Sequence, residues 1–351
     1  MTTKRQSHHL LWEVPDSSSG QQSKKIRRLR PAMTTDSVCQ VVSPVDVAAP
    51  FLDEIKRKLS NAKEKPLLVA FLANGDPAAK KYAEWTAKTC RQADVEFELR
   101  EVPRTQLEEA IMEANEDVKV NGMMSYFPVF GGTQDQYLQN LVDINKDVEG
   151  LSHQCRVNMY HNVRFLDSEK TQKCIIPCTP LAVIKILEYV GVYSKILPYG
   201  NRLYGKTITV INRSEVVGRP LAALLANDGA KVFSVDEHGL LEFHRGQGLK
   251  LRKHEVFETT FTLDQALGSS DVVITGVPSD KYKVDTSKLK DGVIAINFSS
   301  AKNFYDDITS KASIFVASIG KVTVAMLLRN LLRVAENQAV ARGEERNLYG
   351  P

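Results

Sequence analysis

Residues 207–236, TITVINRSEVVGRPLAALLANDGAKVFSVD, constrain this chain more than any other stretch. The apolar run 208–211 predicts a buried strand and 212–218 a polar turn. A helix is expected over 219–227, starting beside Pro220 and stopped by Gly229. A second strand, 231–235, then delivers Asp236. Such a unit is half of a dinucleotide site: a helix N-terminus favours a pyrophosphate, and a carboxylate ending the next strand accepts hydrogen bonds from ribose hydroxyls. Asp236 would repel a 2′-phosphate, so the residues favour NAD over NADP. The glycine pattern departs from G-x-G-x-x-G, since Gly218 stands alone and Asn212 occupies the place of a first glycine. Any strand–helix–strand unit of a parallel sheet reads the same way, so the pattern alone leaves a nucleotide site and a plain sheet unit both open.

At 351 residues, with 43% hydrophobic and 25% charged residues, the chain is long enough for two domains with ample core. Its net charge of +4 is unevenly placed. Residues 1–32 hold seven basic residues against Glu13 and Asp16, a balance of +5 that leaves the remainder at −1. The folded body is therefore no nucleic-acid binder by charge. Residues 1–40, rich in Ser, Gln, Lys and Arg and without periodicity, read as a disordered basic leader. Its KKIRRLRP segment is either a nuclear or mitochondrial address or a solvated leader, and Met33 is an alternative initiator. No run of ~18 apolar residues exists, which excludes a spanning helix. Five cysteines without a C-x-x-C pair argue for reduced thiols and a cytoplasmic setting. No H-E-x-x-H occurs, and His153 and His161 lack neighbouring ligands, so no metal is expected.

A separate α/β region precedes the nucleotide unit. The run 67–73 is a strand, and Asp76-Pro77 starts a helix with Asp76 as N-cap and Pro77 at the first position. A second apolar strand is expected over 123–130, ending near Pro128. Thr179 as N-cap and Pro180 at N1 open the helix LAVIKILEYV, which reads as a bridge between domains.

DPAAKKYAEWT, YFPV, KDVEGL, PCTP and NRSEVVGRP occur in this order, and together they resemble the methylenetetrahydrofolate dehydrogenase/cyclohydrolase family over roughly residues 45–340. The resemblance is closest to its monofunctional NAD-dependent members of eukaryotic cytosol. It implies an α/β protein of two domains: a folate-binding catalytic domain at 41–190 and a Rossmann-like NAD-binding domain at 191–320. A C-terminal helix within 321–342 would return to the first domain, with Val324, Leu327, Leu328, Leu331 and Val334 on one apolar face.

The resemblance also implies site residues. The family's catalytic-helix tyrosine maps to Tyr82, whose ring would stack on folate. Four residues on, the bifunctional enzymes carry a lysine where this chain has Thr86. Lys88 does not replace it, lying ~240° around the helix from Tyr82. Hydride removal from the methylene bridge is pushed by nitrogen lone pairs and needs no strong base, whereas opening the product cation with water benefits from proton management. Thr86 thus predicts dehydrogenase retained and cyclohydrolase lost. The family's Gln before Leu-Pro is Tyr126 here, and the second aspartate of its KDVDG is Glu149. Tyr82, Tyr126, Asp147 and Glu149 would place the folate, and Cys178, in the PCTP turn, is a further catalytic candidate whose packing role is the stronger one. Arg213, Ser214, Glu215, Gly218, Asp236, Glu237, Thr275, Gly276, Val277 and Asn297 would hold the cofactor. The family's Pro-Gly-Gly loop is reduced to residues 317–323, which puts its folate contacts in doubt. Residues 237–260 are longer than in bifunctional relatives. They read as a solvated excursion in preference to a basic flap built from His244, Arg245, Lys250, Arg252, Lys253 and His254.

The expected activity is NAD-dependent oxidation of 5,10-methylenetetrahydrofolate to 5,10-methenyltetrahydrofolate by a homodimer. Two alternatives remain: a bifunctional enzyme with a substitute for the missing lysine, and a non-catalytic folate- or NAD-binding regulator whose basic tail engages a partner.

Overall fold

A computed structural model describes residues 39–343 apart from 61, 63, 171 and 247–252. The leader residues 1–38, with KKIRRLRP and Met33, lie outside the described residues, as do Lys250 and Arg252. The described chain opens with a short strand, β1 (Gln40–Val41), and helix α1 (Pro44–Leu59). A three-stranded parallel sheet follows, built from β2 (Leu67–Leu72), β3 (Glu96–Glu101) and β4 (Val120–Ser125) in the order β3-β2-β4. Helices α2 (Pro77–Gln92) and α3 (Leu107–Glu116) are its crossovers. The start of α2 is local chemistry: the Asp76 carboxylate accepts from the Ala78 N–H, and Pro77, with no N–H to satisfy, takes the first helical position. The strand expected over 123–130 instead begins at Val120 and ends at Ser125. After Ser125, the Tyr126 N–H bonds to the Phe71 carbonyl and that of Phe127 turns back onto Ser125, so the chain leaves the ladder before Pro128.

Helices α4 (Thr133–Leu141), α5 (His153–Tyr160) and α6 (Cys178–Tyr189) lead to the second half. The helix α6 begins at Cys178 with Pro177 as its cap, so Thr179 and Pro180 stand inside the first turn and not at its boundary. The nucleotide unit forms as read, within a residue at each edge: β5 (Thr207–Ile211), α7 (Gly218–Asn227) and β6 (Lys231–Asp236). Next come β7 (Gly239–His244), β8 (Glu255–Glu258), α8 (Leu263–Ser269), β9 (Val272–Thr275), β10 (Val293–Asn297), α9 (Ile308–Lys311) and β11 (Ala312–Val316). Together with β1 these strands make an eight-stranded sheet ordered β1-β11-β10-β9-β5-β6-β7-β8. It is parallel from β1 to β6, and its central strands are apolar because helices cover both faces.

The sheet departs from expectation at both edges. Gln40 and Val41 pair with Ile314 and Phe315, so the chain next to the leader is fastened to the cofactor-side sheet and not to the folate side. At the other edge, 237–260 is no solvated excursion: β7 and β8 extend the sheet antiparallel. Arg245, 3% exposed, donates to the carbonyl of Asn227 and to the Asn201 side chain. The His254 ring stacks on Phe243 at 5.5 Å and meets the Asn227 amide oxygen at 3.1 Å, and burial pushes its pKa down to about 4. A neutral histidine and a buried guanidinium here pin the hairpin to α7. The basic-flap reading therefore fails for these two residues.

The last helix, α10 (Gly320–Ala341), packs against α1, α2, α6 and β4. Its face of Val324, Leu327, Leu328, Leu331 and Val334 is buried. Polar fasteners add register: Asn330 donates to the carbonyls of Val148 and Ile176 (both 2.9 Å), and Gln338 to those of Asn121 and Asn145.

Candidate active site

Strand ends set the first half of the site. In parallel sheets the carboxyl ends of the strands open onto a crevice, and here Ser125 ends β4 while Asn74 and Tyr126 lie just past the ends of β2 and β4. Tyr82 stands on α2 above them, its half-buried ring edge-on to Tyr126 with centroids 6.0 Å apart. Thr86, one turn further, is fully buried, and its hydroxyl donates to the Tyr82 carbonyl at 2.9 Å. The helix consumes that proton, so position 86 offers the crevice no cation and no relay. Tyr126, 5% exposed, lies with its hydroxyl beside the Thr86 side chain, and by distance and angle it has no hydrogen-bond partner among the described residues.

Asn74, which sequence reasoning missed, donates to the carbonyls of Tyr126 (2.8 Å) and Pro128 (2.9 Å) and so shapes this loop. Its position between the first strand and the Asp76 cap was the available signal. The Asn74 amide oxygen, the Ser125 hydroxyl and the Tyr126 hydroxyl are buried and have no partner among the described residues. Three such atoms on neighbouring segments mark a place where a polar ligand completes the hydrogen bonding.

The two acids of KDVEG separate in role. Asp147 is buried and spends its carboxylate on the N–H groups of Gly150 (2.8 Å), Leu151 (3.4 Å) and Ser152 (2.8 Å). It shapes the loop that carries Glu149. Glu149 accepts from the Ser125 N–H at 3.1 Å. Burial drives its pKa up to about 8, with the Asp147 charge adding and the Ser125 bond opposing. Cys178 donates its backbone N–H to the Glu149 carbonyl at 3.2 Å. Burial, and then the nearby Glu149, push its thiol up to about 12, so desolvation outweighs the helix N-terminus and no thiolate is present for nucleophilic chemistry. Burial followed by Cys178, Tyr126 and Glu149 likewise raises the Tyr82 phenol. These four groups share one desolvated space in which neutral forms are favoured.

The second half of the site lies at the ends of β5, β6 and β9. Asn212 takes φ +93°, a left-handed conformation usually left to glycine, which accounts for the missing glycine of the fingerprint. Its amide donates to the Gly276 carbonyl (2.6 Å) and accepts from the Ser214 N–H (3.0 Å), tying two loops together. A Cβ on Gly218 would overlap the Asn212 carbonyl oxygen, and one on Gly276 would overlap the Phe298 ring. Ser214 occupies the mouth of α7: its hydroxyl accepts long bonds from Val217 and Gly218 (3.3 and 3.4 Å) and its carbonyl from Arg219 (3.0 Å).

Arg213 bridges Asp236 at 3.0 Å and donates to Ser234 and to the Gly239 carbonyl. The other Asp236 oxygen accepts from the His238 N–H at 2.9 Å. Several residues expected at the cofactor also support the fold from within. Glu215 pairs with Arg219 (2.6 Å) and meets the Tyr160 hydroxyl (3.3 Å), joining α7 to α5. The buried Thr275 hydroxyl and the Val277 N–H both bond the Asn303 side chain, a hub no motif signalled. Asn297 donates to the carbonyls of Ser299, Ala301 and Ala317, and Glu237 points into solvent at 86% exposure. Among the described residues no cluster of His, Cys, Asp and Glu has metal-binding geometry.

Residues 43–149 match the family model for the tetrahydrofolate dehydrogenase/cyclohydrolase catalytic domain, and 177–243 that for its NAD(P)-binding domain. The chain is 57% identical over 301 residues to a methylenetetrahydrofolate dehydrogenase [NAD(+)] of Schizosaccharomyces pombe, covering 86% of this chain and 94% of that one. A protein of the same description from Saccharomyces cerevisiae is 54% identical, covering 84% of this chain and 96% of its own. The solved NAD-dependent 5,10-methylenetetrahydrofolate dehydrogenase of S. cerevisiae superposes with a TM-score of 0.83 at 52% identity, over 87% of this chain and 99% of that one.

Proposed function

The chain belongs to the tetrahydrofolate dehydrogenase/cyclohydrolase family, and we propose that within it the protein catalyses one reaction only. It is an oxidoreductase that converts 5,10-methylenetetrahydrofolate to 5,10-methenyltetrahydrofolate with NAD. The observation that carries the restriction to one reaction is Thr86, buried and bonded back to its own helix.

The residues do their work by placement. The Tyr82 ring stacks on the pterin, and Glu149, in its ionised form, accepts from the pterin amino group. The unpartnered atoms of Asn74, Ser125 and Tyr126 complete the polar fit. On the cofactor side the cradle fits a dinucleotide without a 2′-phosphate: the close packing of Gly218 on the Asn212 backbone and of Gly276 on the Phe298 ring holds the two loops in place, and Asp236 reaches the ribose while its charge is balanced by Arg213. When bound, NAD supplies the nicotinamide carbon that accepts the hydride. No residue needs to remove a proton, because nitrogen lone pairs drive the transfer, and the desolvated Tyr82–Tyr126–Glu149–Cys178 space excludes water from the product cation.

Purified protein with methylenetetrahydrofolate and NAD should form NADH and accumulate methenyltetrahydrofolate, both followed by absorbance. Enzyme-accelerated decay of the methenyl product would establish the bifunctional alternative, and absence of NADH the non-catalytic one. Edge strand β8 is exposed along its length, with Val256 at 44% and Phe257 at 39%, which supports pairing of two copies through this sheet. Light scattering checks the dimer. The five free cysteines favour a reducing compartment, and we place the activity in the cytosol, to be checked by fractionation.

A further inference from the structure

Two side chains continue the crevice outward from Tyr82. Trp85 stands three residues further along α2, a neighbour of Tyr82 on the helix surface, and is 50% exposed. The segment before α10 reaches the same place: a Cβ on Gly320 would stand 4.0 Å from the Tyr82 ring. Lys321, the next residue, is exposed and holds its ammonium 5.5 Å from the centre of the Trp85 ring. Among the described residues Lys321 makes no hydrogen bond or ion pair. An ammonium resting on an aromatic face keeps its N–H donors for an anion.

Exposure rises and charge changes sign along this line. Glu149 sits at the desolvated inner end, the half-buried Tyr82 ring in the middle, and Trp85 with Lys321 at the open end. The substrate assigned above is built in the same order: a pterin with a donating amino group, an aminobenzoyl ring, and a glutamate bearing two carboxylates. With the pterin on Tyr82 and Glu149, the acidic tail points outward. The reversed orientation would set those carboxylates against Glu149, so the inner acid rejects what the outer ammonium attracts.

We propose that Trp85 and Lys321 form the outer subsite of the crevice, Trp85 as the aromatic neighbour of the aminobenzoyl ring and Lys321 as the cation that pairs with the glutamate carboxylates. This assignment rests on the folate reading of the inner crevice. It gives the reduced loop 317–323 a substrate contact of its own, through charge and not through a glycine-rich backbone.

Calorimetric titration of the full-length protein with tetrahydrofolate, and with the tail diamide in which both carboxylates are amides, tests the subsite beside NADH-forming turnover. Lys321→Gln should weaken tetrahydrofolate binding about three- to fivefold, the range of a partly exposed ion pair. The KM for methylenetetrahydrofolate should rise by the same factor, with the change falling on KM and not on kcat or on the KM for NAD. The diamide should bind the unaltered protein and Lys321→Gln equally, and Lys321→Arg should retain tetrahydrofolate binding. Trp85→Ala should weaken both ligands, and because both positions are exposed the melting temperature should hold throughout. Unchanged tetrahydrofolate affinity in Lys321→Gln, an equal loss with the diamide, or unchanged affinity in Trp85→Ala would overturn the assignment. Tail-dependent binding by an unaltered protein that forms no NADH would remove the dehydrogenase reading and leave the subsite standing.

Discussion

Tyr82 shows how a residue can be central to a site and marginal to a fold. Its ring is half-buried against Tyr126, so Tyr82→Ala should lower turnover or folate affinity while NAD affinity and melting temperature stay nearly unchanged. A large fall in melting temperature would instead make it a core residue. Glu149 has a folded pKa near 8, above its unfolded value, so the protonated form is favoured on folding. Its contribution to stability is complete below the unfolded carboxyl pKa of about 4.3 and is lost as pH rises through about 8. Glu149→Gln should therefore flatten the decline of melting temperature over that window. The same group must be ionised to receive the pterin amino group, so the KM for folate should rise as pH falls from 8 to 6, and calorimetry should record proton release on binding. Asp236 balances Arg213 at 3.0 Å. Asp236→Ala should weaken NAD binding by about 1–3 kcal/mol and, by freeing the guanidinium, raise activity with NADP. An unchanged ratio of NAD to NADP activity in that variant would remove Asp236 from cofactor choice.

At the scale of elements, the loop between β5 and α7 is a fitted piece. Asn212 turns at φ +93°, and its carbonyl fills the space where a Cβ on residue 218 would stand. Gly218→Ala forces backbone against backbone, and should cost about 3 kcal/mol or more in denaturant unfolding, with loss of NAD binding. An alanine variant of wild-type stability would show that the loop moves freely. The helix of this unit was legible from Pro220 and Gly229, because caps and breakers act through neighbouring backbone atoms. The end of β4 was not, since a strand stops where its ladder partners stop, and the Phe71 carbonyl that captures Tyr126 is 55 positions upstream. The hairpin β7–β8 was misread for a related reason. Its basic residues look solvated in sequence, yet Arg245 and His254 find partners on α7 and the Asn201 loop only after folding.

At the scale of the whole molecule, Thr86 and Tyr126 are two halves of one change. The Tyr126 side chain lies beside the buried Thr86 and edge-on to Tyr82. Thr86→Lys alone should therefore lower stability by about 2–4 kcal/mol and give no hydrolysis, since the ammonium is buried beside a bulky ring without a partner. Adding Tyr126→Gln should recover part of the stability by making room. Methenyltetrahydrofolate hydrolysis by the single variant would refute this coupling. The elements beside them, α2 and β4, both pack on α10, whose Asn330 holds the carbonyls of Val148 and Ile176 and so sets the loop that carries Glu149.

The order of elements, the parallel nucleotide unit, the start of α2, the apolar face of α10 and the family itself were determined by the sequence alone. These depend on spacing, capping and ordered motifs, which need only near neighbours along the chain. Tertiary structure alone decided which polar side chains remain available. Asp147, Glu215, Thr275, Asn297 and Asp236 all match the motif and all bond within the protein, Asp236 through both oxygens, whereas the Glu149 carboxylate accepts from the Ser125 N–H through one oxygen. It also exposed Asn74 and Asn303 as supports and silenced the Cys178 thiol. The physical reason is that hydrogen-bond satisfaction and desolvation are set by groups far apart in sequence, and only the packed chain brings those groups together.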